Sequence, residues 1–267
     1  MSAAEEIVTL QDDVFGILSQ PQPAADSDLC IILLNAGFIH RSGPFRLHVR
    51  LARALAASGV AAFRYDAPGV GDALTRSSET QLQATRASLD ALSAQFGYRR
   101  FVVGGICSAA DLGWLLALAD PRVVGLISID GLARQGFWYS FGRMRRGLQK
   151  SPREWLTAIR LRLARSGASA AATASPEDLR DWPVRGSERE QLHRLVERKL
   201  EWFVLFTAGT SYFLHARQWL ATFGREARST LVEFRFWPRC DHTFFAESDR
   251  RKLIDAIVAW VGARFRH

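Results

Sequence analysis

The chain is expected to adopt an α/β fold, a mostly parallel central sheet covered by helices on both faces, with a helical lid inserted into it. Three observations predict this. Continuous apolar runs such as Leu29-Cys30-Ile31-Ile32-Leu33-Leu34 suit strands buried on both faces of a parallel sheet. These runs alternate with helical patterns as far as Gly131 and again after residue 200. Between them, from about residue 132 to 191, the alternation gives way to a helical, basic and aromatic stretch carrying Phe137, Trp138, Tyr139, Phe141 and Trp155.

The elements follow in order. Ile7–Leu10 and Asp13–Leu18 read as an opening β-hairpin that Pro21 and Pro23 end. The buried strand at 29–34 leads to a helix at 45–57, which Gly59 stops. A strand at 60–65 ends at Asp66, and a helix covers about 79–96. Phe101-Val102-Val103 is a strand, followed after a sharp turn by a helix through Asp111, Leu112, Trp114, Leu115 and Leu116. Residues 122–130 form another buried strand. After the basic stretch come a strand at 202–206, a helix at 212–223, a strand at 230–237 and a terminal amphipathic helix at about 248–265. The core is thus assigned to residues 1–131 and 192–267 and the lid to 132–191, with the Ala/Ser-rich run 166–175 as a connector inside it. No internal repeat is present.

The turn at Gly104-Gly105-Ile106-Cys107-Ser108-Ala109-Ala110 carries the chemistry. A strand–turn–helix that exposes a nucleophile forces it into a strained backbone conformation, so the residues two before and two after must be small. Centred on Cys107 those flanks are Gly105 and Ala109; centred on Ser108 they would be Ile106 and Ala110, and the isoleucine would clash. Cys107 is therefore the candidate nucleophile, weighed against a buried structural thiol ahead of a helix. Such a turn draws its base from a loop between the last strand and the last helix, in the chain order nucleophile, acid, base. His242, in Cys240-Asp241-His242-Thr243-Phe244-Phe245, is the one histidine of six so placed. His48 falls in the first helix, His193 and His215 in later helical stretches. The oxyanion donors are expected to be the N–H of Ser108 and one from the loop Asn35-Ala36-Gly37-Phe38-Ile39-His40, where Gly37 permits the backbone geometry and Phe38 is the expected donor. His40 either lines the cleft or bonds its own loop.

These stretches resemble the alpha/beta-hydrolase superfamily, and within it the serine-aminopeptidase-like alpha/beta hydrolases associated with exosortase-type gene clusters. The resemblance rests on Asn35-Ala36-Gly37 with Arg41-Ser42-Gly43-Pro44-Phe45-Arg46, on Arg64-Tyr65-Asp66-Ala67-Pro68-Gly69-Val70-Gly71-Asp72, on Gly105-Ile106-Cys107-Ser108-Ala109-Ala110 and on Asp241-His242-Thr243-Phe244. It spans roughly residues 13–130 and 200–265 and leaves out the lid. It implies Cys107 as nucleophile, His242 as base and a structural Asp66 that braces the turn ending at Gly71-Asp72. One departure stands out. Such proteins carry an aspartate just after the strand matching 202–206, and here that turn reads Thr207-Ala208-Gly209-Thr210-Ser211, with Thr210 where the acid belongs. Asp130, at the end of the preceding strand, is the substitute the fold permits. Asp241 and an acid-free Cys–His dyad are the alternatives, the dyad being tolerable because a thiol ionises far closer to neutrality than a serine hydroxyl.

A thiolate here would form a thioester acyl-enzyme and pass the acyl group to water, an amine, an alcohol or a thiol. That favours acyl thioester substrates. The net charge of +8 points the same way, because residues 133–165 hold nine arginines and lysines against the single acid Glu154. This is either a solvated helix face or a docking surface for an anionic partner, such as an acidic acyl or peptidyl carrier protein or coenzyme A. Phe137 and Trp138 are expected to contact an apolar acyl group. A general esterase or peptidase and a non-catalytic binding protein are the competing classes. No nucleic-acid-binding motif accompanies the charge, and no apolar run is long enough to span a bilayer. Neither cofactor nor metal is called for: the glycines at 69 and 71 lack a phosphate-loop or dinucleotide spacing, and Cys30, Cys107 and Cys240 form no zinc or disulfide pattern. The odd, scattered cysteines and the absence of a leader-like N-terminus suggest a reducing, cytoplasmic setting.

Overall fold

The computed structural model describes residues 2–11, 14–23, 27–74, 80–148, 160, 180 and 182–265. β1 (Ser2–Gln11) and β2 (Val14–Gln22) form the expected antiparallel hairpin, and β2 pairs antiparallel with β4 (Ala61–Tyr65). From β4 the sheet continues, all parallel, through β3 (Leu29–Leu33), β5 (Arg100–Ile106), β6 (Val123–Ile129), β7 (Glu201–Thr207) and β8 (Val232–Trp237). The order across the eight strands is β1-β2-β4-β3-β5-β6-β7-β8. The helices are α1 (Leu47–Ala57), α2 (Gln81–Phe96), α3 (Ser108–Ala119), α4 (Phe137–Leu148), α5 (Glu188–Glu197), α6 (Arg217–Phe223) and α7 (Glu247–Phe265).

Strand side chains alternate between two cores, as the period of two requires. Phe101 and Val103 of β5, with Trp202, Val204 and Phe206 of β7, face Leu89 and Leu92 of α2, Trp114 and Leu116 of α3, Leu192 of α5 and Trp219 of α6. Val102, Phe203 and Leu205 point the other way, onto Leu51 and Leu55 of α1 and Leu253, Ile257 and Trp260 of α7. Helices therefore cover both faces, which is why the central strands read as unbroken apolar runs. Trp202, at the first core, lies 4.9 Å from Trp114 and 5.0 Å from Trp219 between ring centroids, while its indole N–H donates to Ser128 Oγ at 2.9 Å. The buried polar edge is thus satisfied while the ring packs.

The strand end that feeds the candidate site leaves no room for side chains. A Cβ on Gly104 would stand 1.9 Å from the Ile127 carbonyl oxygen, and its φ is +139°. Gly104→Ala is accordingly expected to destabilise the protein by about 3 kcal/mol or more, read as a fall in the urea midpoint.

Several boundaries differ from the sequence expectation. Pro21 does not end the hairpin: it lies inside β2 opposite Ala3. The β4 pairing stops at Ser19, so that edge of β2 needs no N–H from Pro21. Pro44–Arg46 form a separate 3-10 turn, with Phe45 and Arg46 at positive φ, so α1 begins at Leu47. The helix expected from residue 212 begins only at Arg217, because Tyr212 and Phe213 are buried ahead of it, Phe213 stacked 3.9 Å from Phe206. His215 consequently lies in the irregular segment ahead of the helix and not in it. Of the expected lid, α4 and the start of α5 are described. The connector at 166–175 and Trp155 lie outside the described residues.

Candidate active site

Ligand sites of open parallel sheets form beyond the C-terminal ends of the strands, and the candidate residues are delivered there one strand at a time. Cys107 follows β5, Asp130 follows β6, Thr207 ends β7 and His242 follows β8. Sheet hydrogen bonding continues into the turns and draws them together: Cys107 N–H donates to Ile129 O at 2.8 Å and Asp130 N–H to Leu205 O at 2.8 Å.

Cys107 caps α3 with φ 60° and ψ −120°, a conformation that costs an L-residue of order 1–3 kcal/mol. The requirement for small flanks is met physically. A Cβ on Gly105 would lie 2.9 Å from the Ala109 Cβ and 3.2 Å from the Leu34 carbonyl. The strain aims the thiol out of the sheet toward His242, near enough for each group to shift the ionisation of the other. His242 Nδ1 in turn meets Asp130 Oδ2 at 2.7 Å. Asp130 is wholly buried, and Thr207 holds its carboxylate through the backbone N–H at 2.7 Å and the hydroxyl at 2.7 Å. Of the three arrangements the sequence left open, the one with Asp130 against His242 is the one observed. Asp241 instead accepts from the N–H groups of Thr243 and Phe245, at 2.8 and 2.9 Å, and so pins the loop that carries His242.

The electrostatics separate Cys107 from the other two thiols. All three cysteines are free. Burial pushes the Cys30 thiol well above its ordinary value, and burial with nearby Asp249 pushes Cys240 up to about 12. Burial also raises Cys107, but the His242 hydrogen bond, the positive charge of Arg180 and the Ser108 N–H outweigh it and leave that thiol below its ordinary range. His242 moves the opposite way, pushed up to about 9 first by its hydrogen bond to Asp130 and then by the one to Cys107. Each partner favours the other's charged form, so a thiolate–imidazolium pair is the state these contacts stabilise.

The remaining predicted residues divide. Ser108 N–H is among the groups that lower the Cys107 thiol, while Ser108 Oγ accepts from Gly37 N–H at 2.8 Å, joining the β3 loop to the turn that carries Cys107. Phe38 lies in the turn closed by Ile39 N–H to Ala36 O at 3.1 Å, its ring 89% exposed. His40 takes the loop-bonding role and not the cleft-lining one. Its Nδ1 meets Ser42 Oγ at 3.0 Å and its Nε2 meets Asp66 and Asp72, both at 3.4 Å. His40, Asp66 and Asp72 could hold a cation by distance alone, but Arg41 already ion-pairs with both aspartates. Asp66 is buried and accepts from Asn35, Arg41 and the Asp72 N–H, a bracing position. Trp138 stacks on His215 at 4.9 Å, and Phe137 is 74% exposed. Both sit on α4 without a described contact to Cys107.

Three residues at the site escaped sequence reasoning: Thr207, Tyr212 and Arg180. Thr207 holds the acid. Tyr212 O–H donates to the Asp130 carbonyl, and Arg180 reaches that same carbonyl at 3.2 and 3.3 Å. No motif marks them.

The model of the alpha/beta hydrolase family matches residues 31–256, which contain every residue of this constellation. The chain belongs to the alpha/beta hydrolase family. Solved members share the fold at low identity. A proline iminopeptidase from Mycobacterium smegmatis is 15% identical, with a TM-score of 0.62, covering 97% of this chain and 98% of its own. An esterase from Pyrococcus furiosus is 12% identical, with a TM-score of 0.62, covering 98% of this chain and 90% of its own. A serine hydrolase without a lid from Xanthomonas campestris is 14% identical, with a TM-score of 0.57, covering 100% of this chain and 96% of its own. No curated protein sequence matches the chain. In this alpha/beta hydrolase Cys107 stands in the strained turn between β5 and α3. Among its described residues no helix is long and apolar enough to cross a membrane.

Proposed function

We propose that this alpha/beta hydrolase is an acyl hydrolase or acyltransferase that works through a thioester acyl-enzyme on Cys107, with an acyl thioester as its substrate. The observation that carries this reading is the His242–Asp130 pair set beside a strained cysteine, whose thiol alone of three is depressed, chiefly by that histidine. In the forward step the Cys107 sulfur attacks the acyl carbonyl carbon. The oxyanion forms against the N–H groups of Ser108 and Phe38, the latter free of a partner among the described residues. The C–S bond to the leaving group breaks as the His242 imidazolium gives that sulfur its proton. Neutral His242 then takes a proton from water or another acceptor, which attacks the acyl-enzyme and releases the Cys107 thiolate. Asp130 keeps the imidazole oriented and supports its charge.

Thioester exchange onto cysteine is nearly isoenergetic, which favours this substrate class over peptides. A small ester or amide is the second reading, supported by the esterase and iminopeptidase among the solved structures of this fold. Cys107→Ser separates the two: thioester turnover is expected to fall at least about 100-fold in that variant, because a serine hydroxyl, unlike the thiol, does not rest as its anion beside His242 and must give up its proton during the attack. Retention of most activity would favour the ester reading. Asp130 beside His242 removes the main argument for a non-catalytic fold, which was the missing acid at Thr210.

An acidic carrier protein or coenzyme A is the proposed acyl donor, docking on α4. Arg143, Arg145 and Arg146 carry no ion-pair partner among the described residues, and exposed Met144 and Leu148 interleave with them. Arg134, by contrast, is buried against Glu188 and does not belong to this surface. Reversing the three charges to glutamate is expected to raise KM for a carrier-linked acyl group about tenfold or more, with a matching loss of salt dependence, and to leave a short acyl thioester unaffected.

A further inference from the structure

Arg180 is a buried cation, its side chain only 8% exposed, standing where the elements of the site converge. Its Nε donates to Asp111 Oδ2 at 2.5 Å, in the first turn of α3, one turn beyond Cys107. One Nη1 bond reaches the Tyr212 hydroxyl at 2.6 Å, after β7, and the fork also spans the Asp130 carbonyl, after β6. Asp130 has φ +52°, left-handed for a residue with a side chain, and its carbonyl is held by Arg180 and Tyr212 together. Tyr212 and Trp182 flank the guanidinium with their rings at 5.4 and 5.1 Å. Such a site is far from bulk water, so a full charge acts there with little screening.

We infer that Arg180 is a positioning residue of the site: it holds the turn that presents Asp130 to His242, and its buried positive charge beside Cys107 stabilises the thiolate. This rests on the reading of Cys107 as nucleophile and adds to it. Among the described residues, the charged groups that act on the thiol are His242 from the loop after β8 and Arg180; Arg180 is held in turn by Asp111 from α3 and Tyr212 from the loop after β7, and His242 by Asp130 from the turn after β6. Arg180 is the cation in this set that does not titrate near neutrality. Asp111 opposes it. If the charge of Arg180 acts on the thiol, removing it and removing its counter-charge Asp111 must shift the thiol in opposite directions, and a purely structural role for Arg180 would not reproduce that pair of signs.

The test is the pH dependence of iodoacetamide alkylation of Cys107, followed by intact mass, with Cys107→Ala as the blank for Cys30 and Cys240. Arg180→Met is expected to raise the midpoint by about one pH unit, Asp111→Asn to lower it, and Arg180→Lys to stay near the wild type. Should Arg180→Met not fold, the downward shift in Asp111→Asn together with the wild-type-like Arg180→Lys carries the same prediction. A midpoint unmoved in Arg180→Met, or in Asp111→Asn where that variant stands alone, overturns the inference. His242→Ala tells this failure from that of the underlying reading. If the wild-type midpoint is ordinary and His242→Ala leaves it there, the Cys–His pair itself is wrong. If His242→Ala raises a depressed midpoint and the Arg180 and Asp111 variants do nothing, only the role of Arg180 falls.

Discussion

Cys107→Ala is expected to reduce acyl transfer by about 10⁴–10⁶-fold, the range seen when a nucleophile is removed from a preorganised triad. The fold should survive the change. Cys107 is only partly buried and makes its structural hydrogen bond, to Ile129 O, through the backbone. The strained φ of 60° stays, and alanine bears it at a similar cost. A loss of rate without a loss of thermal stability is therefore the signature. Residual turnover would come from the oxyanion donors and substrate binding alone. Ser108 does not substitute for the missing thiol, because its hydroxyl is engaged by Gly37 N–H and lies one residue past the point where the turn exposes a side chain.

His242→Ala ranks second, with an expected loss of about 10²–10⁴-fold in kcat/KM. Three roles disappear at once: the hydrogen bond that depresses the thiol, the proton for the leaving sulfur and the base for the acceptor. The pH profile gives the sign. In the wild type the Cys107 thiolate is present below the ordinary thiol range, and the imidazolium persists until pH rises through about 9. Acylation is thus expected to rise with pH through the depressed thiol midpoint and to fall again near 9. In His242→Ala the falling limb vanishes and the rising limb moves up toward an unassisted thiol. Asp130→Asn should be milder than either, since the Cys–His pair remains. It should also lower the upper limb, because the hydrogen bond to Asp130 is the largest contribution raising His242.

Much of this architecture was legible in the residues. The central strands are apolar without interruption because both faces are covered, and Gly105 and Ala109 around Cys107 are small because they touch. His242 was singled out by its loop between the last strand and the last helix and by chain order after Cys107, and the fold sets it against Asp130. The departures share a cause: they depend on contacts between segments distant in sequence. Pro21 is tolerated in β2 because β4 has already ended beside it, which nothing local to Pro21 records. Tyr212 reads as the first residue of a helix, yet its hydroxyl is committed to the Asp130 carbonyl, which holds the chain out of helical geometry until Arg217. Asp130 was one of three candidates until the register of β6 against β7 placed it beside Thr207. Arg180 reads like the other arginines around it, and only its burial against Asp111 tells it from a solvated charge. His40 and Trp138 read as substrate-facing residues, and what the fold adds is their contacts with Asp66 and His215 respectively, which no local pattern records.

The most direct test of the central claim is intact-protein mass spectrometry, with peptide mapping, after incubation with a panel of acyl thioesters. A single acyl adduct on Cys107 is expected in the wild type, absent in Cys107→Ala and slow to form in His242→Ala. An adduct that persists in Cys107→Ala, or that maps to Ser108, would contradict that claim.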